Sequence, residues 1–272
     1  LFKEIKQLDG TCASAARPGG ILSRAQGAAI AYERIAGKNP GVVFLHGFRS
    51  DMMGGKALAV ESFCRARGQA FVRFDVSGHG ASGGAFTDGT IGSWAGDVVD
   101  VLDHLTEGPQ ILVGSSMGGW LMLLAALARP ERIAGLLGIA AAPDFIEELI
   151  VPALSAEQKR QLLTQGLVEI DSGYDLPPLP LTRRLVDEAR NHLLLSAPIA
   201  LSCPVRLIHG MRDPDVPWNT ALRLADSLIS EDVEIALVKK GEHRLSEPED
   251  IARMLGLLGG LLDRAQAGES RP

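Results

Sequence analysis

The chain predicts an α/β fold built on a mostly parallel sheet with helices on both faces, and three observations carry that prediction. Short, nearly continuous apolar runs alternate with amphipathic helical periods. The alternation stops between Pro143 and Ala200 and then resumes. Of the 272 residues, 46% are hydrophobic and 22% charged, enough to bury one large core. A strand covered on both faces reads as an unbroken apolar run, whereas a half-exposed strand alternates.

Taken in order, the runs "AIAYERI" and "GVVFLHG" read as strands, "KALAVESFCRARG" as a helix and "AFVRFDV" as a strand. The helix "IGSWAGDVVDVLDHL", the strand "QILVGSS", the helix "MGGWLMLLAALARP" and the strand "LLGIAAA" follow. After the interruption come the strand "CPVRLIHG", a helix around "WNTALRLADSLI", the strand "VEIALVKK" and a closing helix "EDIARMLGLLGGLLDRA". Residues 27–142 and 201–268 therefore form the core. Residues 143–200 read as helical and loop-like, with Pro177, Pro178 and Pro180 ahead of "TRRLVDEARNHLLL". In that stretch Leu185, Val186, Ala189, His192 and Leu193 fall on one helical face, with Thr182 as N-cap. An insertion of this length in a regular sheet pattern is expected to be a helical cap over the strand ends, where such sheets place ligands. Residues 1–26, which begin with Leu, are expected to be a flexible or processed segment outside the fold.

The net charge of −6 and pI near 5.6 argue against a nucleic-acid partner, because that binding depends on neutralising phosphates with Lys and Arg. No apolar run approaches the ~20 residues of a membrane-spanning helix, so membrane insertion is not expected. Cys12, Cys64 and Cys203 are too far apart for a zinc site or a disulfide framework, which points to a reducing, cytoplasmic setting.

The chemistry sits at Gly114-Ser-Ser-Met-Gly118, a G-x-S-x-G pattern between a strand and a helix. A side chain at Gly114 or Gly118 would collide with neighbouring backbone, and the tight turn pushes the Ser116 hydroxyl outward. A serine is a poor nucleophile without a base oriented by a carboxylate. Of the six histidines only His192, His209 and His243 follow Ser116. His192 lies on the apolar helical face and His209 within a strand, so both read as packed residues, whereas His243 in "GEHRLSEP" follows the last strand and is the base expected. Asp213 and Asp215 both lie in the loop after "VRLIHG"; Asp213, nearer the strand end, is favoured as the acid. Met117 at the helix start and Phe48, after Gly47, are the amides expected around an oxyanion. Met52, Met53 and Trp120 could line an acyl pocket or pack in the core, and Cys64 reads as core. This chemistry calls for no cofactor and no metal.

The stretches "FLHGF", "FDVSGHGAS", "GSSMGG", "LIHGMRDPDVP" and "GEHR" resemble the α/β-hydrolase family from about Ala29 to the end of the chain. Within it, "QILVGSSMGGWLMLLAALARPE" and "CPVRLIHGMRDPDVPW" are similar to the palmitoyl-protein thioesterase and acyl-glucuronide esterase branch and its bacterial relatives. The resemblance implies an α/β-hydrolase fold with Ser116 as nucleophile, Asp213 as acid and His243 as base, and with Phe48 and Met117 at the oxyanion. It implies a serine hydrolase acting on a small-molecule or acylated-protein ester or thioester, as monomer or dimer, with the mitochondrial matrix as the alternative location. Carbon–carbon bond hydrolysis or aminopeptidase chemistry on the same fold, and a ligand receptor built on it, remain alternatives.

Overall fold

The computed structural model describes residues 19–24, 27–171 and 177–269. The first half alternates strand and helix: β1 (Gly19–Leu22), β2 (Ile30–Ile35), β3 (Lys38–Leu45), α1 (Gly55–Arg67), β4 (Gln69–Phe74), α2 (Ile91–Leu105), β5 (Gln110–Ser115), α3 (Met117–Ala128) and β6 (Ile133–Ile139). A π-helical turn (Ile146–Ile150) then runs into the short α4 (Val151–Ala153), followed by α5 (Ala156–Gln165), β7 (Leu167–Ile170), β8 (Leu179–Thr182) and α6 (Arg183–Ala189). The chain returns to the sheet with β9 (Val205–Gly210), α7 (Asn219–Ser227), β10 (Val233–Val238) and α8 (Pro248–Glu269).

Eight strands form one sheet in the order β1-β2-β4-β3-β5-β6-β9-β10, antiparallel at β1–β2 and β2–β4 and parallel from β4 onward. The central strands are buried end to end, as their apolar runs predict: every residue of β5 and β9 is buried. Each sheet face has its own core. Trp94, Val98, Trp120, Leu121 and Leu185 pack on one side; Ala57, Val60, Cys64, Met254 and Leu258 pack on the other. Local signals place the helix ends. Thr90 and Ser93 form a reciprocal capping box at the start of α2, and Gly68 closes α1 in the left-handed conformation, φ 65°.

Three features depart from the sequence reading. Residues 19–22, inside the segment set aside as flexible or processed, form the edge strand β1; residues 1–18, 25 and 26 lie outside the described residues. The stretch read as helical and loop-like contains the antiparallel hairpin β7–β8, which the prolines obscure: Pro180 sits opposite Glu169 on a two-stranded ribbon, where a missing N–H can face outward. Helix α6, capped by the Thr182 hydroxyl as expected, buries Leu185, Val186 and Ala189. It then tightens into a 3₁₀ turn over Arg190–His192, so the apolar face does not extend to His192 and Leu193; Leu193 is exposed.

Candidate active site

Ser116 occupies the single residue between β5 and α3, with φ 54° and ψ −118°. An L-residue rarely adopts this conformation, and the surroundings hold it there. The steric argument for the glycines stands. A Cβ at Gly114 would run into the Gly118 carbonyl, one at Gly118 into the carbonyl oxygens of Leu45 and His46, and one at Gly119 into the Ala141 side chain. The Ser116 carbonyl accepts from the Gly119 and Ala142 amides at 2.8 and 3.1 Å, and its N–H donates to the Ile139 carbonyl at 2.9 Å. The turn is thus pinned to β6 as well as to the helix it begins.

The three residues singled out from the sequence converge at the C-terminal ends of the parallel strands. His243 lies 3.1 Å through Nε2 from Ser116 Oγ and 2.7 Å through Nδ1 from Asp213 Oδ2. With Nδ1–H donated to the carboxylate, the Nε2 lone pair faces the serine hydroxyl, the tautomer that can accept its proton. Asp213 Oδ1 accepts the amides of Asp215 and Val216 at 2.9 and 2.8 Å, so Asp215 supports Asp213 through its backbone and its own side chain is exposed.

His209, read as a packed strand residue, is buried but also reaches this network. Its Nε2–H is shared between Asp213 Oδ2 at 3.1 Å and the Val216 carbonyl at 3.0 Å. Burial pushes the Asp213 carboxyl up, yet hydrogen bonds from His209, His243 and the Val216 amide outweigh it and hold the group well below the usual carboxylate range. Asp213, Asp215 and His243 offer ligand atoms within 4.8 Å of one another. Donors already occupy both Asp213 oxygens, which suits a proton relay better than a cation.

The loop after β3 passes against Ser116. A Cβ on Gly47 would lie 3.4 Å from Ser116 Cβ, so a larger residue there would press on the serine. Phe48 follows, and its ring stacks among Phe86, Trp94 and Phe145 with centroids 5.2, 5.9 and 5.4 Å away. Its amide takes no backbone carbonyl among the described residues. Met117 is the first residue of α3, where N–H groups have no intrahelical acceptor. Met117 follows Ser116 directly, and Phe48 lines the same cavity as Ser116; uncommitted amides of this kind are the donors that an oxyanion requires.

A cavity of about 860 Å³ opens on Ser116 and His243. Phe145, Leu149, Ile150, Leu154, Ile170 and Leu179, all from residues 143–200, supply apolar lining. Arg49, Asp51, Lys56, Asp215 and Arg244 bring charge from the core loops. Lys56 Nζ donates to the Arg244 carbonyl at 2.5 Å, next in the chain to His243. Burial, aided by the Arg244 charge, lowers its ammonium to about 8. Neither Lys56 nor the apolar lining was anticipated, since helical periodicity shows that a face is buried but not what it covers. The residues suggested for the pocket do not line it. Met52 is buried and Trp120 lies in the core, its indole N–H donating to the His192 carbonyl at 3.0 Å; Met53 is exposed, its sulfur 3.0 Å from the Arg73 guanidinium. Cys64 packs in the core as read, its thiol pushed up to about 12 by burial.

Mouse (Mus musculus) mitochondrial palmitoyl-protein thioesterase ABHD10 is 44% identical over 245 residues, covering 90% of this chain and 82% of that protein. The solved structure of mouse α/β-hydrolase domain-containing protein 10 superposes with a TM-score of 0.83 at 44% identity, over 90% of this chain and 98% of the other. Est1E from Butyrivibrio proteoclasticus, solved with ferulic acid, shares the fold with a TM-score of 0.76 at 19% identity, over 91% of this chain and 99% of its own. The profile of the α/β hydrolase family matches residues 42–254, and the chain belongs to that family.

Proposed function

We propose that this chain is a serine hydrolase that cleaves esters or thioesters of apolar acyl groups through an acyl-enzyme on Ser116. The observation that carries the reading is the unbroken hydrogen-bond chain from Ser116 Oγ through His243 to Asp213, opening on a cavity walled on one side by apolar residues. His243 Nε2 takes the serine proton as Oγ attacks the acyl carbon. The Phe48 and Met117 amides hold the oxyanion, and the imidazolium then protonates the leaving oxygen or sulfur. Water, deprotonated by His243, attacks the acyl-enzyme and releases the acid. Asp213 keeps the ring in the productive tautomer and stabilises the imidazolium.

The acyl chain lies against Phe145, Leu149, Ile150 and Leu154, so residues 143–200 act as the cap over the site. The charged side, with Arg49, Lys56 and Arg244, receives the leaving group, carried by a small molecule or an acylated protein. The mouse thioesterase is described as mitochondrial, which supports a mitochondrial location over the cytoplasm as the working compartment. Ser116→Ala is expected to abolish fluorophosphonate labelling and to lower kcat on a p-nitrophenyl ester by about 10⁶ while the fold persists; undiminished turnover would overturn the assignment. A panel of acyl thioesters, aryl esters and acyl-glucuronides then sets the substrate class. Labelling without rapid multiple turnover on any of them would favour a receptor on a hydrolase scaffold.

A further inference from the structure

His46 and His79, both buried, are used by no step above. Their hydrogen bonds define their protonation. His46 Nδ1 lies 2.8 Å from the Gly47 carbonyl, to which it must donate, while its Nε2 receives the Val76 amide at 3.2 Å. His79 repeats the pattern: Nδ1 donates to the Ser77 carbonyl at 3.2 Å and Nε2 accepts the Arg49 amide at 3.3 Å. An imidazolium has no acceptor nitrogen, so a proton on either ring would leave a backbone N–H facing another N–H. Both rings are therefore neutral, with the hydrogen on Nδ1. Burial supports this by disfavouring the charged form of each, in His79 down to about 4.

The bonded atoms are the two peptide units that bracket Phe48. The Gly47 carbonyl and the Phe48 N–H are opposite ends of one planar trans peptide, so fixing the carbonyl fixes where the N–H points. The next unit, from the Phe48 carbonyl to the Arg49 N–H, is held by His79. Ser50 N–H also reaches the Gly47 carbonyl at 3.2 Å, and Asp75, its carboxylate 4.0 Å from His46 Nε2, takes the Met52 and Ala81 amides at 2.6 and 2.8 Å. The rings lie 5.2 Å apart, and His79 is wedged edge-on against Phe86 and Trp94. We infer that His46 and His79 are a paired set of positioning residues, each a neutral Nδ1–H imidazole, that aim the Phe48 amide at the oxyanion by clamping the peptide on either side of it. The inference rests on the serine-hydrolase reading and extends it to two residues that never touch substrate.

The test uses the full chain. In His46→Asn the amide nitrogen takes the place of Nδ1, and in His79→Gln the amide oxygen takes the place of Nε2; His46→Leu and His79→Leu keep bulk without polar atoms. Losing one oxyanion donor costs about 10² to 10³ in kcat. The leucine variants are therefore expected to lose roughly 10- to 100-fold in kcat, with KM within about twofold, and the amide variants to recover most of it. The decisive readout is the Ki of an acyl trifluoromethyl ketone, whose hemiketal oxygen occupies the oxyanion position. It should weaken in proportion to the loss in kcat/KM, which a merely structural role would not produce. Nitrogen-15 spectra of the wild-type rings at pH 6 are expected to show both as neutral Nδ1–H tautomers, independently of whether the leucine variants fold. A protonated or Nε2–H ring, leucine variants with wild-type kcat, or an unchanged Ki per active serine would each overturn the proposal. Wild-type turnover, measured first, separates failure of the hydrolase reading from failure of the clamp, since the ring spectra test the clamp either way.

Discussion

The backbone at Ser116 makes a quantitative prediction that separates strain from chemistry. Ser116→Ala and Ser116→Gly both delete Oγ and its bond to His243, so they differ only in whether a Cβ remains at φ 54°, ψ −118°. A side chain held in such a region costs about 1–3 kcal/mol, which glycine escapes. Glycine gives back about 0.4–1 kcal/mol through the greater freedom of its unfolded chain. Taking about 2 kcal/mol of strain against about 0.7 leaves the glycine variant more stable than the alanine variant by about 1 kcal/mol. For a chain of this size that is roughly 2 °C in Tm. Urea denaturation at neutral pH, with equal m-values for both variants, measures the difference as a shift in midpoint. Both variants lack Oγ, so any gain is stability released by giving up the backbone geometry that Ser116 holds. A glycine variant equal to or weaker than the alanine variant would show that the turn holds no side-chain strain and that the reasoning about Ser116 is wrong.

Other outcomes follow from the same geometry. Asp213→Asn is expected to lower kcat by about 10⁴, because an amide facing Nδ1 favours the wrong tautomer, while Asp215→Asn, whose amide rather than side chain supports the acid, should stay within a few-fold in steady-state assays. Leu154→Trp, at the apolar wall of the cavity, should depress kcat/KM for long acyl p-nitrophenyl esters far more than for acetate, and equal losses on both would remove that wall from the acyl site. His79 titrates near 4 in the fold against about 6.5 unfolded, so the unfolded chain binds the extra proton between those values and stability falls as pH drops through that window, by up to about 3 kcal/mol. His79→Gln should flatten this slope in denaturation midpoints taken from pH 7 to 4; an unaltered slope would assign the acid lability to other groups.

How far the molecule could be read in advance depended on the kind of information each residue carries. Ser116 was legible because a strand, a glycine-bounded turn and a helix are contiguous, and the sterics that require Gly114 and Gly118 act over a few residues. His243 and Asp213 were legible by order along the chain and by position after a strand. His209 was not: within "VRLIHG" it has the signature of any buried strand residue, and only the tight turn after β9 brings the Asp213 carboxylate back within 3.1 Å of its ring. The hairpin β7–β8 escaped because four-residue strands containing a proline carry little periodicity. His192 was misplaced for a different reason. The helical period continues on paper, but the chain tightens to 3₁₀ at Arg190, and the His192 ring meets Glu188 at 2.6 Å instead of the core.

Residues 143–200 are fastened to the rest of the fold at points away from the apolar lining of the cavity. Buried Asp144, at φ 62°, accepts the amides of Leu194 and Leu195 at 2.8 to 3.0 Å, drawing the two ends of residues 144–195 together. Glu188 accepts the Gly92 amide at 3.1 Å near the start of α2, where a negative charge also favours the helix dipole, and Arg223 on α7 pairs with Glu148 at 2.7 Å. None of these contacts involves Ser116, His243 or Asp213, whose supports come from β5, β6, β9 and the loops that follow. Substitutions at Leu149, Ile150 or Leu154 can therefore reshape the cavity without moving the Ser116–His243–Asp213 hydrogen bonds, whereas changes at Gly47, His46 or His79 act first on the loop that carries Phe48 and reach the apolar lining only through the Phe48–Phe145 ring contact. Selectivity and rate are in this way assigned to different stretches of chain, and the kinetic signature follows: changes in the insertion should discriminate among acyl groups, and changes in the core loops should lower kcat for all of them alike.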